Sequence, residues 1–345
     1  AGGTEAPAEF MFYLPEFDAL CTAEVATGTF HNVLTSRGAK VRDALKWSRV
    51  IDRALADYGD RSDVVFASHH WPSWGQENVA AFLKNQRDTY RYVHDQTLRR
   101  ANAGATMTEA AETIPEPEFS QDDFATRGYY GTLNHNSKAV YQYYYGWWSG
   151  VPANYHALPD EETAPRYVEA MGGLDAVLSL GVTAYEAGDY RWAAELFNTA
   201  VFARGDSEPA KDWLAATYEQ KGFQAESGSW RSYFLTAASE LRNGVPDAGA
   251  PNLGNADFLA AVPTLDLFDA LASRYNPGKL SRDPFAVVFD FADTGETLRV
   301  EVGRDVIVPR AVEDAGDSAA TLGMTRADFN RLILRETDVP ALMQS

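Results

Sequence analysis

The sequence predicts three successive architectures: an α/β segment over residues 1–110, an all-helical segment over 111–243 and a small α+β domain over 244–345. Three observations carry this prediction. Apolar runs of strand length, Phe10 to Leu14, Ala19 to Thr22 and Val64 to Ser68, are bounded by Gly, Pro or Ser in the first 75 residues. From Arg127 to about Leu241 the apolar period is helical. Beyond a linker-like stretch at 244–256, rich in Gly, Pro, Asn and Asp, the period changes to two.

Taken in order, residues 1–75 read as strand, strand, helix, strand. The helix is placed over Ala39 to Leu55, where Val41, Ala44, Leu45, Val50, Ile51, Ala54 and Leu55 recur at helical spacing. A second amphipathic helix follows from Asn78 to Arg99, with Val79, Phe82, Leu83, Tyr90 and Val93 inward. Residues 104–126 show no clear period and read as a connecting loop. Within the helical segment, Ala184 to Tyr190 resembles Thr217 to Phe223 at an offset of 33 residues. That is close to the tetratricopeptide period of about 34, with a Gly-aromatic turn, and predicts helix-hairpin scaffolding. Near the end, Phe285, Val287, Phe289 and Phe291 alternate toward the turn Asp293-Thr294-Gly295, and Leu298, Val300, Val302, Val306 and Val308 continue an antiparallel meander. Thr325 is placed as the cap of a final helix with Phe329, Leu332 and Ile333 inward.

Composition narrows the function. With 49 acidic against 30 basic residues the formal charge is −19, which argues against nucleic acid and anionic membrane surfaces as partners. An anionic substrate must then be drawn in by a local positive group. No stretch approaches the roughly 18 apolar residues of a membrane span. The single cysteine, Cys21, excludes an internal disulfide and sits in an apolar run as inert core.

Glu5, Glu24 and His69 each sit where an apolar run meets a polar loop. A sheet presents metal sites from its loops in this way, and the mixture of carboxylate and imidazole suits zinc or a similar divalent ion. Singly, each is more often an ordinary surface carboxylate or a satisfied histidine. His70 follows His69 and is expected to point away from it on an extended strand end.

Longer motifs point further. GTEAPAEF, LCTAEVATGTFHNVLTSRGAKVRD and DVVFASHHWPSWG, all between Gly2 and Gly75, resemble the later half of the catalytic domain of alkylsulfatases in the metallo-β-lactamase superfamily. The block RGYYGTLNHNSKAVYQYYYGWWSGVPAN and the helix-rich segment after it agree, and the last domain is similar to the sterol-carrier-like module that ends these enzymes. The resemblance implies the C-terminal half of an αββα sandwich, a helical dimerisation domain and an α+β sterol-carrier-like domain. It implies hydrolysis of alkyl sulfate esters such as dodecyl sulfate by a dinuclear zinc site, in a homodimer that is periplasmic or secreted.

Carried over by position, Glu5, Glu24 and His69 match zinc ligands, and Asn32 and Arg37 match sulfate-binding positions. The planar guanidinium of Arg37 suits an oxyanion, although beside Gly38 it also reads as a helix-flanking surface charge. His31 is the expected general acid for the leaving oxygen, with a satisfied loop histidine as the plainer reading. Tyr141 is the tyrosine expected at the sulfate, and most of the other aromatics from Tyr129 to Trp148 are expected in the core or a dimer contact.

One departure is plain. The family's remaining zinc ligands come from a His-x-His-x-Asp-His motif on an earlier loop, and none of the six histidines here shows that spacing. The expectation is a truncated chain with an incomplete ligand set for two zinc ions, inactive by itself, which also stops abruptly at Ser345. The competing expectations are another hydrolase of the same fold (a lactonase, phosphodiesterase or β-lactamase) and a non-catalytic lipid-binding scaffold.

Overall fold

The computed structural model describes residues 1–120, 122–246, 255–279 and 283–342. Most of the expected linker at 244–256 lies outside the described residues. The chain forms two compact units divided after Pro246.

The first unit opens with a four-stranded sheet in the order β1-β2-β3-β4. Its strands are β1 (Phe12–Leu14), β2 (Ala19–Cys21), β3 (Val64–Phe66) and β4 (Ser73–Trp74). β2 and β3 are parallel, joined across helix α1 (Ala44–Tyr58), while β1 and β4 run antiparallel to their neighbours. Helix α1 starts five residues later than the apolar spacing indicates, because Asp43 caps it by accepting from the Lys46 N–H at 2.9 Å. Its buried face is Ala44, Trp47, Ser48, Ile51 and Ala54, so Trp47 takes the central place expected of Leu45. Trp47 is fully buried, stacks on Tyr90 of α2 (Gln76–Asn102) at 4.6 Å, and donates its indole N–H to the Val25 carbonyl at 2.6 Å. The indole thus fills core volume and satisfies a buried acceptor at once.

Residues 104–126 are more ordered than expected. Thr106 and Glu109 form a reciprocal capping box that starts α3 (Met107–Thr113). The Thr-x-x-Glu signal is present in the sequence, but seven helical residues offer too little periodicity to support it. Helices α4 (Leu133–Tyr145), α5 (Asp160–Ala170), α6 (Leu174–Glu186), α7 (Tyr190–Ala203), α8 (Glu208–Gln224) and α9 (Gly228–Asn243) follow. α4 packs on the same core as α1 and α2 through Leu133, Ala139 and Val140. Of the two similar stretches, only the first makes the expected glycine turn. Gly188 lies between α6 and α7 at φ +78°, whereas Gly222 is inside α8, where a methyl group would meet Leu235.

In the second unit, β5 (Phe285–Phe291), β6 (Glu296–Val302) and β7 (Ile307–Ala311) form the expected antiparallel meander. A fourth strand, β8 (Ala320–Met324), pairs parallel to β5 and was not expected, although Ala320, Leu322 and Met324 alternate with Thr321 and Gly323. Two helices, α10 (Ala256–Ala261) and α11 (Thr264–Ala272), precede the sheet, Thr325 caps α12 (Arg326–Ile333) as expected, and a short helix, α13 (Val339–Leu342), follows. Phe268, Phe289, Phe291 and Phe329 form the aromatic centre of this core, with the rings of Phe268 and Phe329 stacked at 4.7 Å.

Gly181 of α6 faces the fully buried ring of Phe197, and a methyl group there would fall on that ring. Gly181→Ala gains about 1 kcal/mol of helix propensity but overpacks an immobile ring at a cost of about 1–3 kcal/mol. The expected outcome of denaturant titration is a net loss of stability, whereas an exposed helical glycine changed to alanine would show a gain.

Candidate functional site

Strand register builds the site. In the parallel pair Cys21 is opposite Phe66, and Glu24 and His69 each lie three residues beyond those positions. The two side chains therefore leave the same sheet edge and meet, with His69 Nε2 2.6 Å from Glu24 Oε1. Because β1 is antiparallel to β2 with Phe12 opposite Cys21, the chain before Phe12 lies at that edge too and delivers Glu5. Ligand sites of open sheets with parallel strands form outside the strands' carboxyl ends.

Glu5, Glu24 and His31 offer donor atoms that lie within 4.8 Å of one another. His31 is buried, its Nε2 is 3.6 Å from Glu24 Oε2, and its Nδ1 is 3.0 Å from the Asn32 carbonyl. That carbonyl can only accept, so Nδ1 carries the proton and Nε2 presents a lone pair toward the carboxylates. Burial pushes the His31 pKa down, outweighing the two glutamates that would raise it, and the ring is neutral. A neutral imidazole lone pair facing two carboxylates has no proton to share with them, and a divalent cation would fit such a donor set. His69 joins the cluster through Glu24. His70, at φ +70°, turns back and lines the same cavity, where an extended strand end would have pointed it away.

A residue not singled out from the sequence organises these groups. Arg42, its side chain only 10% exposed, donates to Glu5 Oε1 at 2.5 Å and to the Glu5 carbonyl at 2.7 Å. Its other terminal nitrogen donates to the Asn32 carbonyl at 2.9 Å and to Asn32 Oδ1 at 2.8 Å. Nothing in the spacing of Lys-Val-Arg-Asp distinguishes Arg42 from a helix-flanking charge. Glu9 also comes close: burial and the charge of Glu5 push its pKa up, while a hydrogen bond from the Glu24 backbone opposes this.

From the helical segment, Asn136 accepts from the Val33 N–H at 2.8 Å and donates to the His31 carbonyl at 2.9 Å, and His135 Nε2 lies 2.6 Å from the Leu34 carbonyl. Gly131 lets this segment touch the loop, since any Cβ there would lie 2.6 Å from the His31 carbonyl oxygen.

The remaining expected residues divide. Arg37 is exposed, pairs with no carboxylate among the described residues, and lines a cavity of about 660 Å³ together with Glu5, Glu24, His31 and His69. Asn32 is buried with its amide oxygen held by Arg42 and by Thr35 at 3.1 Å, so it supports the loop from behind. Tyr141 does not reach this cavity: it is buried on α4 against Tyr145, with ring centroids 4.8 Å apart. Tyr129 and Tyr130 line the cavity instead, and Tyr130 meets His31 edge-on at 4.9 Å.

Comparison with known proteins fits this arrangement. Residues 106–244 match the alkyl sulfatase dimerisation family and residues 252–345 the alkyl sulfatase C-terminal family. A linear primary-alkylsulfatase from Pseudomonas sp. is 44% identical over 98% of this chain, and the alkyl/aryl-sulfatase of Saccharomyces cerevisiae is 38% identical over 100% of it. The crystallised sec-alkylsulfatase Pisa1 from Pseudomonas sp., described as stereoselective and inverting, superposes with a TM-score of 0.95 at 37% identity over 99% of this chain. The chain thus carries two alkylsulfatase domains in succession and is similar to alkylsulfatases along nearly its whole length. It spans about half the length of the relatives it matches, 50% and 53% of the two sequences and 54% of the structure.

Arg42→Ala strands the Glu5 carboxylate and frees the 31–35 loop. Breaking a largely buried ion pair costs about 3–5 kcal/mol, and the expected result is a matching fall in denaturation free energy that Arg42→Lys, lacking the planar fork, restores only in part. Equilibrium dialysis checks the donor set: Zn²⁺ retained by the wild-type chain should be retained at least tenfold less well by Glu24→Gln.

Proposed function

We propose that this chain is the part of a metal-dependent alkylsulfatase that carries two acidic ligands, the histidine ligands His31 and His69, and the sulfate-recognition loop. The reaction is hydrolysis of an alkyl sulfate ester such as dodecyl sulfate to alcohol and sulfate. One observation carries the reading: a cation-type donor set and the unpaired guanidinium of Arg37 face the same cavity. The nitrogen and oxygen donors suit zinc. A bound divalent cation supplies water acidification and charge neutralisation at the ester.

The chain's own residues divide the remaining work. Arg37 draws the sulfate head into a molecule whose overall charge repels it, and its fork bonds two sulfate oxygens at once. Neutral His31, with its proton committed to the Asn32 carbonyl, serves as a lone-pair donor and not as the general acid expected from the sequence. Arg42 fixes Glu5 and Asn32 and leaves Arg37 as the guanidinium available to substrate. Half-buried Tyr129 and Tyr130 form the cavity wall beside it.

The same reading makes the protein a homodimer. Trp147, Trp148 and Tyr155 are 67%, 38% and 63% exposed; Trp147 stacks on Tyr155 and Trp148 meets the same ring edge-on, an aromatic surface suited to burial against a second copy. Among the described residues, no helix is long and apolar enough to cross a membrane.

The assay is sulfate release from dodecyl sulfate by a polypeptide of the relatives' length that contains this chain, with and without chelator. Chelation should abolish turnover, and Arg37→Ala should lower kcat/KM about 100-fold, in line with loss of one oxyanion donor. Full turnover in excess chelator would refute the metal-dependent reading. In sedimentation, Trp147→Glu combined with Trp148→Glu should shift the protein from dimer to monomer.

A further inference from the structure

In a chain of charge −19, one cavity is built from cations. It encloses about 810 Å³ among α4, the α6–α7 turn, α8 and α9, and shares no lining residue with the cavity of Glu5 and Glu24. Lys138, Arg191 and Lys221 all line it. Arg191 is satisfied: it donates to both oxygens of Glu112, at 2.9 and 3.3 Å, and Asn134 donates to the same carboxylate at 2.8 Å. Asp189, also in the wall, is engaged in capping α7 through the Trp192 N–H. The two lysines lack such a partner. Neither has a carboxylate within ion-pairing distance among the described residues, and Lys221 instead lies over the Phe234 ring at 4.7 Å.

Burial lowers the pKa of both lysines, and the charge of Arg191 pushes each in the same direction. The charge of Glu112 opposes this at Lys138 more strongly than Arg191 adds to it, and Glu195 opposes it at Lys221, but burial prevails at both. Two partly desolvated ammonium groups with no carboxylate partner of their own among the described residues favour an anion in the cavity. Trp230, Tyr233 and Phe234 add an aromatic surface to the same lining.

We propose that this cavity is a metal-independent binding site for an anion of the sulfate or sulfonate class, its head against Lys138 and Lys221 and any alkyl tail along Trp230 and Tyr233. The inference rests on these groups alone, so it stands or falls separately from the hydrolytic reading.

Calorimetry on the metal-free chain in chelator tests it, with inorganic sulfate and decanesulfonate as probes. Measured in an Arg37→Ala background, so that the guanidinium of the other cavity contributes no sulfate site, Lys138→Met combined with Lys221→Met should weaken binding of both probes at least tenfold. Tighter binding of decanesulfonate than of sulfate, lost in Trp230→Ala, assigns the site to an amphiphilic anion, and equal binding assigns it to the free ion. Unchanged affinity in the double lysine variant overturns the proposal. So does a wild type that binds neither probe while the lysine variant dissociates from dimer to monomer, because the lysines would then be neutralised by a second copy. If the double variant fails to fold, Lys221→Gln alone carries the same expectation at a threefold loss or more.

Discussion

Arg42 is the interaction on which the rest of the site depends. One buried guanidinium bonds the loop before the first strand through Glu5, the loop after the second strand through Asn32, and stands immediately before the cap of α1. Five donors in a rigid plane can satisfy that many acceptors at once, and an ammonium cannot. Without it, Glu5 would be one flexible carboxylate among several on an acidic surface. With it, Glu5 is held where Glu24 and His31 can share a ligand.

The other half of the geometry comes from the backbone. Parallel pairing of β2 and β3 carries Glu24 and His69 to one edge at equal distance past the last paired residues, so their encounter follows from register and not from loop flexibility. The helical segment then fastens the loop between them. Asn136 makes two hydrogen bonds to the backbone at His31 and Val33, and His135 meets the next carbonyl, so α4 supports the site although it supplies no group to the donor cluster. Residues 1–246 accordingly form one compact unit.

How much of this was legible in the sequence follows the range of the forces involved. The strands, α1, α2 and the helical run are local apolar periods, and they read directly. Glu5, Glu24 and His69 could be singled out because each sits where an apolar run meets a polar loop, a feature of local sequence. The role of Arg42 was not, since its acceptors lie 10 and 37 residues away and its own neighbourhood is an ordinary helix start. The same limit explains β8, whose pairing partner is more than 30 residues earlier, and Tyr141, whose aromatic neighbours made it plausible at the sulfate while its helical face sent it into the core. Gly222 shows the converse. Its repeat-like context predicts a turn, but the packing of Leu235 against it inside α8 is a tertiary event.

Charge separates the tasks within the cluster. Glu5, Glu9 and Glu24 crowd together with Arg42 paired to Glu5, and burial keeps His31 neutral, so the pocket retains a local excess of negative charge. Such an excess in a half-buried place favours a cation over any anion. An anionic ester entering unaided would meet both this local field and the −19 of the whole chain. The unpaired guanidinium of Arg37 at the same cavity resolves the conflict, because its attraction acts at contact distance while the global repulsion is screened within about 8–10 Å at physiological salt. On the proposed reading, metal retention and substrate capture rest on opposite charges lining one cavity, with Arg42 engaged by Glu5 and Arg37 paired with no carboxylate among the described residues.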